Sequence, residues 1–240
     1  TPSSSNESLP LSMIANLIDQ NLVYSVIEPS GDSRLAMLET LREFGLELLD
    51  ALGESTSLRR RHAGFFLDLA ERAAAGLVGP DAAAYRARVG GDHANLFAAL
   101  RFTVDEGDVE TALRFCAALW RFWMERGNVK EGITWIREVF ALGAGQASPN
   151  PSLLARVEIG AARMAADLGW FSDAVVWSAS AVDRARSANL PNELLPALNT
   201  HGLVARERSD YAQAIRCYEE AMQLAIDLRN QGEEAEALVG

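Results

Sequence analysis

The chain has 240 residues, 49% of them hydrophobic and 23% charged, with a formal net charge of −11. That length can bury a sizeable core, and the composition excludes a disordered or collagen-like polymer. The acidity argues against direct nucleic-acid contact, because phosphate neutralisation by Lys and Arg supplies most of that affinity.

The polar start TPSSSNES lacks the basic and apolar blocks of a signal peptide and reads as a flexible lead-in. LPLSMIANLI (9–18) carries Leu11, Ile14, Leu17 and Ile18 at helical spacing, and Asp19-Gln20-Asn21 ends that helix. LVYSVIE (22–28) is rich in strand-forming residues, PSGD (29–32) has hairpin-loop chemistry, and RLAML (34–38) is the returning strand. A helix then starts at Glu39 or Thr40, with Leu38, Leu41, Phe44, Leu48, Leu49 and Leu52 as its apolar stripe. Helix, hairpin and helix make the second half of a winged-helix module. This stretch, 1–52, holds eight acidic residues against Arg34 and Arg42, the wrong balance for a phosphate backbone.

Gly53 suits a helix C-terminus, and Ser55 or Ser57 can start the next helix, which runs to about residue 75. Its inward residues are expected to be Leu58, Phe65, Phe66, Leu69 and Ala73. After a break at 76–80 come a short helix (81–89) and a second break at 90–92. From residue 93 the pattern is helices alone: 93–105, 108–125, 128–142, 152–168, 172–188, 193–208 and 211–229, with a further start at 232. No apolar run reaches the length of a membrane span. Cys116 and Cys217 lie about a hundred residues apart in apolar helical patterns, so no disulfide framework is expected and a cytoplasmic location fits.

The helices repeat. Gly132, Ala174 and Ala214 fall at one phase, 42 and then 40 residues apart. The last pair keeps Gly202, Tyr211, Ala214, Tyr218 and Ala221, the preceding pair Ala162, Phe171, Ala174 and Ala181, and the first pair Trp120, Val129, Gly132 and Val139. Small residues let two antiparallel helices approach, and aromatics fill the grooves between pairs. These are tetratricopeptide (TPR) offsets, although His201 stands where leucine is usual and the closing proline is missing. The fold expected is mainly α: a TPR-like α–α superhelix preceded by a partial winged helix with one β-hairpin. Its parts are a lead-in (1–8), a winged-helix remnant (9–52), a helical connector (53–92) and TPR-like repeats (93–240), the array truncated at its C-terminus.

Five segments in this order, LIDQNLV (17–23), RLAMLETLREFGLELL (34–49), LRRRHAGFFLDLAE (58–71), DHANLFAAL (92–100) and ALWRFWMERGNVKEGITWI (118–136), resemble the region after the nucleotide-binding core of bacterial STAND-type regulatory ATPases. That family includes LuxR-like and SARP-type transcription regulators. Asn21 departs from the family's usual serine. The chain has no G-x-x-x-x-G-K-[ST] phosphate loop and no Walker B run, so the resemblance implies an ATPase core upstream and a fragment of a larger protein. It also implies that the winged helix docks within the molecule on that core and passes directly into a helical sensor.

Catalysis has little support. His62, His93 and His201 lack metal-ligand spacing, and no C-x-x-C, G-x-S-x-G or H-E-x-x-H occurs, so no cofactor and no enzymatic activity of the chain itself are expected. Arrays of paired helices leave a groove lined by the first helix of each pair. The candidate groove residues are Arg114, Arg121 and Met124 on the first pair, Arg156, Ile159 and Arg163 on the second, and Asn199, Leu203 and Arg206 on the third. Arg114/Arg121 and Arg156/Arg163 are each seven apart, hence on one helix face. An arginine stripe can clamp carboxylate or phosphate. The competing reading pairs Arg121 with Glu125 and Arg163 with Asp167 as i,i+4 salt bridges. Of five tryptophans, Trp123 and Trp170 are the best candidates for an exposed aromatic anchor, against a core role for the rest. The expected function is a non-catalytic regulatory segment that binds a protein, a peptide or a small anionic inducer; the alternative is a stand-alone TPR-type scaffold.

Overall fold

The computed structural model describes residues 8–27, 33–76, 82–144 and 150–239, with side chains from 12 to 229. The lead-in at 1–7, the hairpin loop at 29–32 and the breaks over 77–81 and 145–149 lie outside these residues. The chain divides into two compact units, Thr1–His62 and Ala63–Gly240.

The first unit contains α1 (Ser8–Asp19), β1 (Tyr24–Ile27), β2 (Ser33–Ala36), α2 (Glu39–Ala51) and the start of α3 (Ser55–Gly76). Asn21, at φ 57°, turns the chain out of α1; a short amide side chain tolerates this left-handed backbone. The strands pair antiparallel, Tyr24 opposite Ala36 and Ile27 opposite Ser33. The helix–hairpin–helix order therefore matches the expectation. Burial does not. The stripe on α2 was expected to face a core, yet Leu38, Phe44, Leu48 and Leu52 are exposed and no residue of α2 is buried. Periodicity marks a face that can be covered, and two four-residue strands and α1 offer little to cover it.

The second unit holds the rest of α3 with α4 (Ala82–Gly91), α5 (His93–Asp105), α6 (Val109–Arg126), α7 (Val129–Gly143), α8 (Pro151–Asp167), α9 (Phe171–Ser187), α10 (Pro191–Glu207) and α11 (Tyr211–Val239). On α3, Phe66, Leu69 and Ala73 are buried as expected, whereas Leu58 and Phe65 are exposed, Phe65 by 54%. Phe65 points about 100° away from Phe66 around the helix axis, on the side opposite to the buried Leu67. The expected break at 90–92 shrinks to Asp92, since α4 includes both glycines. The expected stop before 232 is absent: α11 continues through Gly232, because one glycine costs a helix only about 1 kcal/mol.

One turn recurs between these helices. Gly107, Gly127, Gly169, Asn189 and Ser209 all have positive φ. In each case the next residue's N–H reaches back five positions: Asp108 to Thr103, Asn128 to Trp123, Trp170 to Ala165, Leu190 to Ala185 and Asp210 to Ala205, all at 2.8–2.9 Å. This closure satisfies helix-end carbonyls and reverses the chain within a few residues, so successive helices lie antiparallel. In four of the five following helices the fourth residue is small and buried, Ala112, Gly132, Ala174 and Ala214; α10 carries Leu194 there instead. Ala174 and Ala214 thus hold the same position in their helices, and both are buried.

The pairs α6/α7, α8/α9 and α10/α11 stack. The first helices α6, α8 and α10 contact one another in a row, and the second helix of a pair also touches the first helix of the next, α7 on α8 and α9 on α10. This is TPR-like packing, in a fold of eleven helices and one hairpin among the described residues. The main core centres on α6, where Phe115, Leu119 and Trp123 are buried against α5, α7 and α8. A smaller cluster, including Ile159, Val182, Leu198 and Ala221, continues it toward α11.

Candidate functional site: an arginine-lined groove

The row of first helices carries two adjoining hollows that share Arg121. One, of about 480 Å³, lies between α3, α6 and α8 and is lined by Glu71, Ala118, Arg114, Ser152 and Arg156 besides Arg121. The other, of about 470 Å³, lies between α6, α8 and α10 and is lined by Trp120, Met124, Ile159, Arg163 and Asn199 besides Arg121. Helical geometry accounts for the alignment: Arg114 and Arg121 are two turns apart on α6, Arg156 and Arg163 two turns apart on α8, and α6 packs directly on α8.

The four arginines differ in their partners. Arg114 is neutralised: its Nε and Nη2 each donate to the Glu71 carboxylate at 2.8 Å, which raises its pKa. Arg121, Arg156 and Arg163 have no ion pair among the described residues. Neither i,i+4 salt bridge weighed from the sequence forms. Glu125 instead accepts from Arg86 Nε at 2.8 Å, drawn across to α4. The Arg121 guanidinium lies 4.3 Å from the Trp120 ring centroid and that of Arg163 lies 6.0 Å from the same ring. Surrounding protein lowers the pKa of Arg121, and the like charges of Arg163 and Arg156 lower it further. Three cations therefore face a groove without compensation, in a chain whose net charge is −11.

Seven of the eleven candidates line the two hollows: Arg114, Arg121, Met124, Arg156, Ile159, Arg163 and Asn199. The other four lie elsewhere. Leu203 packs partly buried on the main core. Arg206, two turns beyond Asn199, pairs with Glu207 at 2.9 Å. Trp123 is fully buried, its indole N–H without an acceptor among the described residues. Trp170 sits in the turn before α9, where the Arg137 guanidinium covers it at 5.6 Å. Sequence reasoning missed Glu71, because α3 lies outside the repeat and 43 residues separate it from Arg114. It also missed Trp120 as the surface on which Arg121 rests, although their adjacency in the chain was a usable signal.

Over 132 residues, 54% of its length, the chain is 30% identical to proteins of Mycobacterium bovis and Mycobacterium tuberculosis that carry the name HTH-type transcriptional regulator. The chain covers 14% of those relatives' length, so the similarity is to a part of large regulators. No protein-family profile matches it. Among solved structures, the TPR-like repeats of a kinesin light chain from Podosopora anserina align over 77% of this chain and 98% of theirs, at 16% identity and a TM-score of 0.49. BtubC from P. vanneervenii aligns over 71% of this chain and 92% of its own, at 12% identity and a TM-score of 0.29. No described helix is long and apolar enough to cross a membrane.

Proposed function

We propose that this chain is a non-catalytic sensor segment of a transcription regulator of the signal-transducing STAND ATPase type, and that the arginine groove is where it binds its effector. The observation that carries this reading is the uncompensated trio Arg121, Arg156 and Arg163 on the first helices of the array. Like charges clustered without ion pairs weaken the fold unless a ligand offsets them, so the arrangement is better explained by binding than by stability. Similarity to part of large HTH-type regulators supports the regulatory setting.

The first unit has a different role in this proposal. Its exposed Phe44, Leu48 and Leu52 form an apolar face suited to docking on a neighbouring ATPase core rather than on DNA. Effector binding in the groove shifts the population between docked and released arrangements. The chain supplies no chemistry of its own.

Replacing Arg121 and Arg163 by glutamate in the native gene tests this function. Transcript levels are expected to change as they do when the gene is deleted or locked on. A transcript profile identical to that of the unaltered strain, under conditions in which the deletion has an effect, refutes the sensor role of the groove. Turnover of ATP by the isolated chain refutes the non-catalytic assignment.

A further inference from the structure

We infer that the effector is a compact phosphate-bearing small molecule, its phosphate held at Arg121 between Arg156 and Arg163. This inference rests on the groove reading above and specifies its ligand.

Charge is the first argument. Arg114 already has a bidentate carboxylate, so it is spent; the three remaining guanidiniums have none. A phosphate monoester presents three acceptor oxygens and close to two negative charges, which suits a site with several unpaired guanidiniums. A carboxylate offers two oxygens and one charge, so it offsets one fewer of the three cations. The like charges that depress the Arg121 pKa are those a dianion relieves.

Shape is the second. The hollow holding Arg121 and Arg163 has a volume of about 470 Å³, the size of small-molecule pockets. Its remaining wall is mixed, with Trp120, Met124, Ile159 and Pro196 apolar, Asn199 and Thr200 polar, and Glu125 acidic. That lining suits a small organic body attached to the anion. Carboxylates also line both hollows: Glu71 and Glu110 the first, and Glu125 the second. An extended acidic peptide running along both hollows would meet all three carboxylates, whereas a compact ligand in the second hollow has only Glu125 beside it, and that carboxylate is already engaged by Arg86. The same carboxylates and the net charge of −11 disfavour a nucleic-acid strand.

The test is calorimetric titration of the 240-residue chain with inorganic phosphate, pyrophosphate, succinate and a hexaglutamate peptide at fixed ionic strength. Phosphate and pyrophosphate are expected to bind saturably, with pyrophosphate raising the melting temperature and succinate binding more weakly. In Arg121→Gln/Arg163→Gln, pyrophosphate affinity is expected to fall about tenfold or more, while circular dichroism stays that of the unaltered chain and the melting temperature does not fall. If the double variant does not fold, Arg156→Gln, which removes a guanidinium without an ion pair, carries the comparison. Pyrophosphate binding that is absent, or that is unchanged by the variants, overturns the inference. Arginine-dependent binding of hexaglutamate with none of phosphate overturns the phosphate assignment and leaves the groove as the effector site. If no probe binds and the transcript profile is also unmoved, both readings fall.

Discussion

Trp123 occupies the space that a side chain on Gly132 would need: a Cβ at that position would lie 2.5 Å from Trp123 Cε3 and 3.0 Å from Met164 Sδ. Positions 174 and 214, equivalent to 132 in their pairs, carry alanine and are buried. Gly132→Ala gains about 1 kcal/mol of helix propensity but overpacks a fully buried indole, and a net loss of about 1–2 kcal/mol is expected. Ala214→Gly has no packing conflict to relieve and is expected to lose about 1 kcal/mol from propensity alone. Urea unfolding of the two variants checks both signs; a more stable Gly132→Ala would show that the indole yields.

Glu158, 2% exposed, joins α8 to α9. It accepts from Arg184 Nε at 3.0 Å, from Arg184 Nη2 at 2.8 Å and from Ser180 Oγ at 2.8 Å. Arg184→Ala leaves that carboxylate buried with a single donor and is expected to cost about 3–5 kcal/mol. Replacing both residues, Glu158→Leu with Arg184→Met, is expected to recover most of the loss, because no buried charge remains. A double-mutant cycle in urea measures the coupling; additive losses would contradict this assignment.

Stability is expected to carry a pH signature from His201. Its Nδ1 lies 2.9 Å from the buried Ser178 hydroxyl. Burial pushes its pKa below the ordinary 6.5, and the carboxylates of Asp183 and Asp210 offset this only in part. The unfolded chain therefore binds more protons than the folded chain between the folded pKa and 6.5. This contribution is fully present above 6.5, is lost as pH falls toward the folded value, and is level below it. Between about pH 7.5 and about pH 5.5, the unaltered chain should lose more stability than His201→Gln. Parallel pH profiles for the two proteins would rule His201 out as the source.

Both thiols should be inert while the chain is folded. Cys116 is fully buried on α6 and Cys217 is nearly so on α11, and burial raises the pKa of each. An aromatic disulfide reagent at neutral pH is expected to modify neither in the native protein and both in denaturant. Rapid native-state reaction at Cys116 would mean that the core around Phe115 and Leu119 opens readily.

How much of this was legible in the sequence depends on the distance between cause and effect. The helices, the antiparallel pairs and the shared role of Gly132, Ala174 and Ala214 follow from local signals. Helical periodicity and turn residues act within five positions, as the bond from Asn128 to Trp123 across Gly127 does. The seven-residue spacing of Arg114/Arg121 and Arg156/Arg163 likewise fixes which arginines share a face.

Which of those arginines stays free was decided only by tertiary structure. Glu71 reaches Arg114 across 43 residues, and Arg86 takes Glu125 away from Arg121 across 39. Packing also sends Trp123 into the core and leaves Phe44 and Leu48 of α2 uncovered. The reason is physical: the helical repeat sets the direction of a side chain relative to its own axis, but its partner is chosen by which other helix is stacked against that face. That choice depends on contacts summed over the whole array rather than on any short stretch of chain.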